Sequence, residues 1–329
     1  MRFTASLGAL VALGLGGVLG CGGHASVEVS PRVAAVSVTV GDSFSCAGYA
    51  DRQVHCWGSG EAPMASASAK NVDRLAGDLD LICAGGVESG PECWSLQTSV
   101  DRLSEWLVPL RIRGAVKSAD WTASGDFLCV ADRVGRRACG SVHDGEVALS
   151  DRDRAGALPR RAIDGGCAIV STGVMCADEL VLRDPDLKQI SASFPGGCGL
   201  RDDGRVRCWG DRVLQGVEAD PAARFAQISV GGSSACGIAL SDEILCWGMN
   251  TFGVLGNGEY GDGPNETARG VQPIRSDRRF SRVSVSENGH ACGITIRGSV
   301  MCWGNNSSYQ LGIGSKEQTT DVVAVIEWE

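Results

Sequence analysis

The chain has 329 residues, 43% of them hydrophobic but only 5% aromatic, with 46 Gly and 15 Cys. An ordinary apolar fraction excludes a disordered chain, and glycine without a three-residue period excludes a collagen-like rod. Thirty Lys and Arg against 39 Asp and Glu leave a formal charge of −9, which excludes the basic footprint of sequence-independent nucleic-acid binding.

The chain opens on Met1–Gly20, with one cation at Arg2, then an apolar run, then small residues. That order reads as a signal peptide, and the Gly-rich run is shorter than the roughly 20 residues a membrane span needs. Cys21 follows directly in Val18-Leu19-Gly20-Cys21, which resembles the lipobox of bacterial lipoproteins. The expectation is lipidation at Cys21, a short tether over 21–32, and a folded domain over 33–329. Each buried acyl methylene contributes about 0.8 kcal/mol, so several chains hold such a protein on a membrane surface without a spanning segment. Gly22 stands where an Asp would resemble an inner-membrane retention signal, so the outer membrane is the expected destination.

Fourteen cysteines remain, and they fall into seven pairs. These are Cys46 with Cys56, Cys83 with Cys93, Cys129 with Cys139, Cys167 with Cys176, Cys198 with Cys208, Cys236 with Cys246, and Cys292 with Cys302. Six pairs are ten residues apart and one is nine, and successive pairs recur at 31 to 56 residues. That period, on short β-rich segments, points to propeller blades. A separation of ten fits a hairpin with a three-residue loop, such as Asp202-Asp203-Gly204 between Cys198 and Cys208. The last loop residue takes a left-handed conformation, which Gly204, Gly135 and Gly298 supply; Arg52, Ser89 and Asp242 predict less regular turns. Directly opposed antiparallel residues lie close enough to bridge, and each closure adds about 2–3 kcal/mol in the chain-entropy model. Disulfides are therefore the expected state of all seven pairs. Zinc is the rival for these cysteines, but it wants close CxxC spacings with His, and the chain has no CxxC and four His. The basic residues Arg152, Arg154, Arg160 and Arg161 alternate with Asp151, Asp153 and Asp164 and read as a solvated mixed-charge surface.

Four of the second cysteines, Cys56, Cys208, Cys246 and Cys302, open Cys-Trp-Gly, and Cys93-Trp94-Ser95 is a near match. Two of them continue as Trp-Gly-x-Asn with a later Leu-Gly-x-Gly, over 246–258 and 302–314. Cys139-Gly140 and Cys176-Ala177 lack the Trp. Upstream lie β-branched stretches such as Ile228-Ser-Val-Gly and Val283-Ser-Val-Ser, which are strand signals. These residues resemble the repeat family of the regulator of chromosome condensation, in its Cys-bearing bacterial secreted form. The resemblance covers about 33–329 and implies a seven-bladed β-propeller, an all-β fold with one Cys-stapled hairpin per blade. Repeats two to four are degenerate and most connections are short, which predicts less regular blades there. Trp57, Trp209, Trp247 and Trp303 are expected to pack between neighbouring blades, and His290 to pack rather than catalyse. The C-terminal stretch Asp321–Trp328 reads as a strand that completes the ring against Val33–Val40, removing sheet edges.

No nucleophile, metal-ligand or paired-carboxylate motif stands out, and nothing resembles a phosphate-binding loop. The expected function is therefore a non-catalytic, lipid-anchored binding module of the cell envelope, with an envelope or extracellular protein as partner and no cofactor, metal or nucleic acid. The alternatives are an enzyme acting on polysaccharide, which needs convergent acid and base groups, and an inhibitor of an extracellular enzyme, which needs aromatic anchors on one face. The longest candidate loop is Gly258–Pro273, with Tyr260, Asp262, Asn265, Glu266 and Arg269; an ordinary inter-strand connection is its plainer reading. Asn265-Glu-Thr267 and Asn306-Ser-Ser308 fit the glycosylation pattern.

Overall fold

The computed structural model describes residues 33–59, 65–78, 81–86, 90–96, 107–113, 120–124, 127–131, 137–143, 146–151, 161–164, 167–176, 179–194, 196–211, 213–220, 222–261 and 269–325. The signal segment, Cys21 and the tether lie outside them.

The described chain folds into seven sheets. Each begins with an inner strand, and these are Ala35–Val40, Arg74–Asp78, Asp120–Ser124, Arg161–Asp164, Leu187–Ser193, Phe225–Gly231 and Phe280–Val285. The inner strand pairs antiparallel with a second strand, which carries the first Cys of the repeat, and the second pairs with a third, which carries the other Cys. A fourth, outer strand is present in every sheet except the fifth, where a short helical turn, Leu214–Ala219, follows the third strand. The third sheet is larger, with Arg111–Arg113 running parallel to Glu146–Ala148. The inner strands touch in cyclic order, sheet one against two and so on to seven, and sheet seven against sheet one. This is a β-propeller arrangement, whose ring geometry leaves few exposed sheet edges.

The Cys pairs stand directly opposed in register. Cys46 faces Cys56, Cys83 faces Cys93, Cys129 faces Cys139 and Cys167 faces Cys176. In the last three sheets Cys198 faces Cys208, Cys236 faces Cys246 and Cys292 faces Cys302. Every pair has a Cα–Cα distance of 4.0–4.1 Å with sulfurs at bonding distance. The separation of nine has a simple cause. Val170 pairs with Gly173, so the loop between Cys167 and Cys176 has two residues instead of three.

The expectation of irregular turns at Arg52 and Asp242 is corrected. Arg52 (φ 72°) and Asp242 (φ 62°) take the same left-handed conformation as Gly204 (φ 81°) and Gly298 (φ 87°). Each donates its N–H to the residue three positions back, Tyr49 or Ala239, as Gly204 does to Arg201. Hairpin closure outweighs the cost of about 1–2 kcal/mol for a side chain in that region. Arg52→Gly or Asp242→Gly is expected to raise stability by up to about 1 kcal/mol, read as a higher urea midpoint; a lower midpoint at both sites contradicts this account. Ser89 and Gly135 lie outside the described residues.

The ring also closes differently from the expectation. Thr319–Ala324 is the outer strand of sheet seven, paired with Val300–Gly304, and among the described residues it does not pair with the N-terminal strand; 326–328 lie outside them. An outer strand lies at the rim of its sheet, away from the inner strand of the next. The junction is instead made by the Val40 N–H on Ser284 Oγ (3.3 Å), the Ala35 N–H on the Gly298 carbonyl (3.0 Å), and the Trp57 Nε1–H on the Gln310 carbonyl (2.8 Å).

Candidate functional site

The Cys-Trp-Gly signature is architectural. Trp57, Trp94, Trp209, Trp247 and Trp303 are buried, each against the hydrophobic cluster of the preceding sheet, with Trp57 against sheet seven. Trp121, on the inner strand of sheet three, packs likewise on Cys83 and Cys93 of sheet two. The indole N–H of Trp57, Trp247 and Trp303 goes to the carbonyl of Gln310, Leu214 and Val254, at 2.8, 3.0 and 2.7 Å. The Gly that follows turns the strand: Gly248 has φ 103°, and a Cβ there would overlap the Ser233 carbonyl oxygen.

The signature Asn organises the loops that offer the Val254 and Gln310 carbonyls, while Leu214 offers its own from the short helical turn. Asn250 accepts the Leu255 N–H and donates to the Glu259 carbonyl, and Asn306 accepts the Leu311 N–H and donates to the carbonyls of Ser315 and Glu317. Asn306 is fully buried, so its side chain is closed to a glycan in the folded protein. Asn265 lies outside the described residues.

Sequence reasoning missed a side-chain ladder along the seams. Inner strands expose one unpaired edge, a liability unless something covers it. Here side chains of the neighbouring sheet cover it. Gln189 donates to the Ile228 carbonyl and accepts the Ile228 N–H, and Gln227 repeats both bonds with Val283. Ser191, Ser229 and Ser284 accept the N–H of Val230, Val285 and Val40. The only sequence signal is the recurrence of Gln-Ile-Ser at 189–191 and 227–229 and of Val-Ser at 283–284.

The inner strands surround a central channel of roughly 220 Å³. Its described lining is mostly small or aliphatic residues, Val, Ala and Ser above all, with Arg74 and Glu287 as the ionisable side chains. Glu287 accepts a hydrogen bond from Ser193 Oγ, which in turn accepts the Gly232 N–H. Among the described residues no group of three His, Cys, Asp or Glu is placed to hold a metal ion.

His290 packs, as its place beside Cys292 implies. It is fully buried at the junction of sheets seven and one, with Nε2 3.1 Å from Ser45 Oγ. Ser45 donates its hydroxyl proton to the Gln310 carbonyl (2.8 Å), so the imidazole is the donor in the other bond and carries its proton on Nε2. Burial pushes its pKa from 6.5 down to about 3, against a weaker upward pull from the Phe44 backbone.

Two ends of the ring remain for recognition. The front bears the loops between first and second strands and those after the third; the back bears the hairpin loops between second and third strands. Large hydrophobic side chains stand out on both: Phe194 (87% exposed), Phe252 (42%) and Tyr260 (51%) in front, Leu240 (67%) and Ile296 (60%) behind. Of the candidate loop 258–273, Tyr260 is exposed with its hydroxyl on the Gln318 carbonyl, Asp262, Asn265 and Glu266 lie outside the described residues, and Arg269 opens the fourth strand of sheet six. His55 is half-buried edge-on to Tyr49, and His143 is exposed in the outer hairpin of sheet three.

The chain is similar to several known proteins. Over 164 residues it is 28% identical to the ultraviolet-B receptor UVR8 of Arabidopsis thaliana, covering 44% of this chain and 36% of the receptor. Over 106 residues it is 26% identical to the human probable E3 ubiquitin-protein ligase HERC4, covering 32% of this chain and 10% of the ligase. The chain thus spans only a minor part of the curated relatives it matches. Among solved structures, the CRINKLY WD40 ectodomain of the Arabidopsis thaliana receptor kinase ACR4 matches with a TM-score of 0.52 at 19% identity, over 87% of this chain and 98% of that one, a likeness of fold. The family model of the regulator of chromosome condensation repeat matches residues 225–254 and 281–310, which are the sixth and seventh repeats that carry the fullest signature. Residues 225–254 and 281–310 are thus regulator of chromosome condensation repeats, set in a chain whose propeller arrangement is shared with that ectodomain.

Proposed function

We propose that the protein is a non-catalytic protein-binding module of the cell envelope, a seven-bladed propeller over 33–329 tethered by lipid on Cys21. The observation that carries this reading is the division of labour among its residues. The signature Trp, Asn, Gly and His side chains are consumed in seams and turns, while exposed aromatics gather at one end of a rigid ring. Binding residues commonly sit on loops held by such scaffolds. The seven opposed Cys pairs fit an oxidising, extracytoplasmic compartment, and no helix among the described residues is long and apolar enough to cross a membrane. We take all fourteen cysteines, from Cys46 and Cys56 to Cys292 and Cys302, as disulfide-bonded in the mature protein and Cys21 as the lipid-bearing residue.

Two measurements test the reading. Mass spectrometry of the mature protein should find acyl chains on Cys21 and no free thiol at the paired positions; thiols at several pairs contradict it. Crosslinking in intact envelopes, followed by identification of the crosslinked peptides, should return the same protein partner in replicate. Repeated crosslinking that yields no protein partner overturns the binding function.

A further inference from the structure

The three front aromatics form one patch across sheets five to seven. Phe194 follows Ser193, whose hydroxyl donates to Glu287 across sheet six. Glu287 belongs to the turn ending in Gly289, and a Cβ on Gly289 would touch the Phe252 ring at 2.9 Å. Phe252 is followed by Gly253, where a Cβ would lie 3.4 Å from the Glu259 carbonyl oxygen, and Tyr260 comes next. Phe252 is held at φ 56°, a region unfavourable to an aromatic residue, yet the side chain stays 42% exposed, its ring leaning on Gly289 at the surface and not buried in the core. Strain of this kind marks functional positions.

The charges around the patch select its partner. Glu259, Glu287 and Glu317 are exposed and Asp211 is partly so. Lys316 is the one cation carried by the described residues of these loops, its ammonium 4.9 Å over the Tyr309 ring, and the nearby Arg275, which lies against Gly258, is paired with Asp321 at 3.7 Å. The back differs: its apolar pair, Leu240 and Ile296, stands among mixed charges such as the Arg279–Glu243 ion pair at 2.6 Å. An acidic rim repels anionic lipid and a second copy of this chain, whose net charge is −9. It attracts Lys and Arg, and Arg stacks well on exposed Phe and Tyr rings.

We infer that the front face of sheets five to seven docks a basic protein segment, in which Arg or Lys flank apolar side chains that seat against Phe194, Phe252 and Tyr260. This rests on the binding function proposed above and names the chemistry of the partner.

The test uses the full-length protein in detergent and three labelled peptides, of alternating Arg and Leu, Glu and Leu, and Arg and Ser, read by fluorescence anisotropy. The Arg–Leu peptide should bind, and the other two at least about tenfold more weakly. Binding should fall by about tenfold or more in Phe194→Ser and in the double variant Glu259→Gln/Glu287→Gln, and should weaken as salt rises from about 50 to 300 mM. Phe252→Gly should weaken binding while raising the melting midpoint, because it removes the aromatic and the strained backbone together. Leu240→Ser and Ile296→Ser should leave binding unchanged. Preference for the Glu–Leu peptide, no binding of the Arg–Leu peptide, or loss only in the back-face variants overturns the inference. An envelope partner crosslinked through the back face sinks this inference and leaves the binding function standing; peptide binding without any envelope partner does the reverse.

Discussion

Trp303→Ala is expected to lower the unfolding free energy by about 3–5 kcal/mol. Trp303 is among the largest fully buried side chains, and it packs with Ile238, Ile244, Val254 and Phe280 at the seam of sheets six and seven. Truncation removes this apolar contact, leaves a cavity between two sheets, and orphans the Val254 carbonyl that the indole N–H now satisfies at 2.7 Å. Trp303→Phe retains most of the ring contact but loses the hydrogen bond, so it should fall in between. Phe194→Ala, at an exposed position, should change stability by about 0.5 kcal/mol or less. Urea unfolding of the three variants gives the comparison. A loss below about 1 kcal/mol for Trp303→Ala means that the signature Trp does not hold the seam.

Acid should loosen the ring through His290. Its folded pKa, about 3, lies below its ordinary value of 6.5 because burial disfavours the charged imidazole. The unfolded chain therefore binds the proton first. The stabilisation is complete above pH 6.5 and is lost as the pH falls from about 6.5 towards 3, by up to roughly tenfold in the folding equilibrium per pH unit. Its polar partners, Ser45 and the Phe44 backbone, and the Gln310 carbonyl that Ser45 bonds are uncharged and offer a proton no compensating anion. His290→Asn removes the titration while keeping an amide donor near Ser45. That variant should be less stable than the parent at pH 7.5 but show a flatter decline of melting midpoint between pH 6.5 and 4. Parallel profiles for parent and variant rule out His290 as the acid-sensitive group.

Much of the fold was legible because the cysteines count it. A separation of ten, as from Cys198 to Cys208 or Cys236 to Cys246, fixes both the hairpin register and a three-residue loop. Six such separations and one of nine mark seven hairpins. The seam role of Trp57, Trp209, Trp247 and Trp303 followed from large side chains recurring in one frame. The ladder of Gln189, Ser191, Gln227 and Ser229 was not legible, since alternating polar residues on a strand read as a solvent-facing stripe. Their partners lie 39 or 56 residues away, and the recurring Gln-Ile-Ser does not say which strand they meet. Turn propensity misjudged Arg52 and Asp242 because a local cost of about 1–2 kcal/mol is small beside a hairpin with a paired register. Of the front patch, only Tyr260 was singled out. Nothing local distinguishes the exposed Phe194 from the buried Phe225, because exposure is decided by which loop ends at the mouth of the ring.

The Cys pairs join residues nine or ten apart within one hairpin, and none links two sheets. Drawn as a covalent graph, the oxidised polypeptide is a linear string with seven small beads, its two ends as free of each other as in the reduced chain. The staples pre-form each repeat but carry no information about which repeat is its neighbour, or that the seventh must meet the first. That memory resides in the seams alone, in indoles handed to the preceding sheet and in Gln and Ser side chains laid across bare strand edges. Circularity in this protein is a property of packing, rebuilt each time the chain folds.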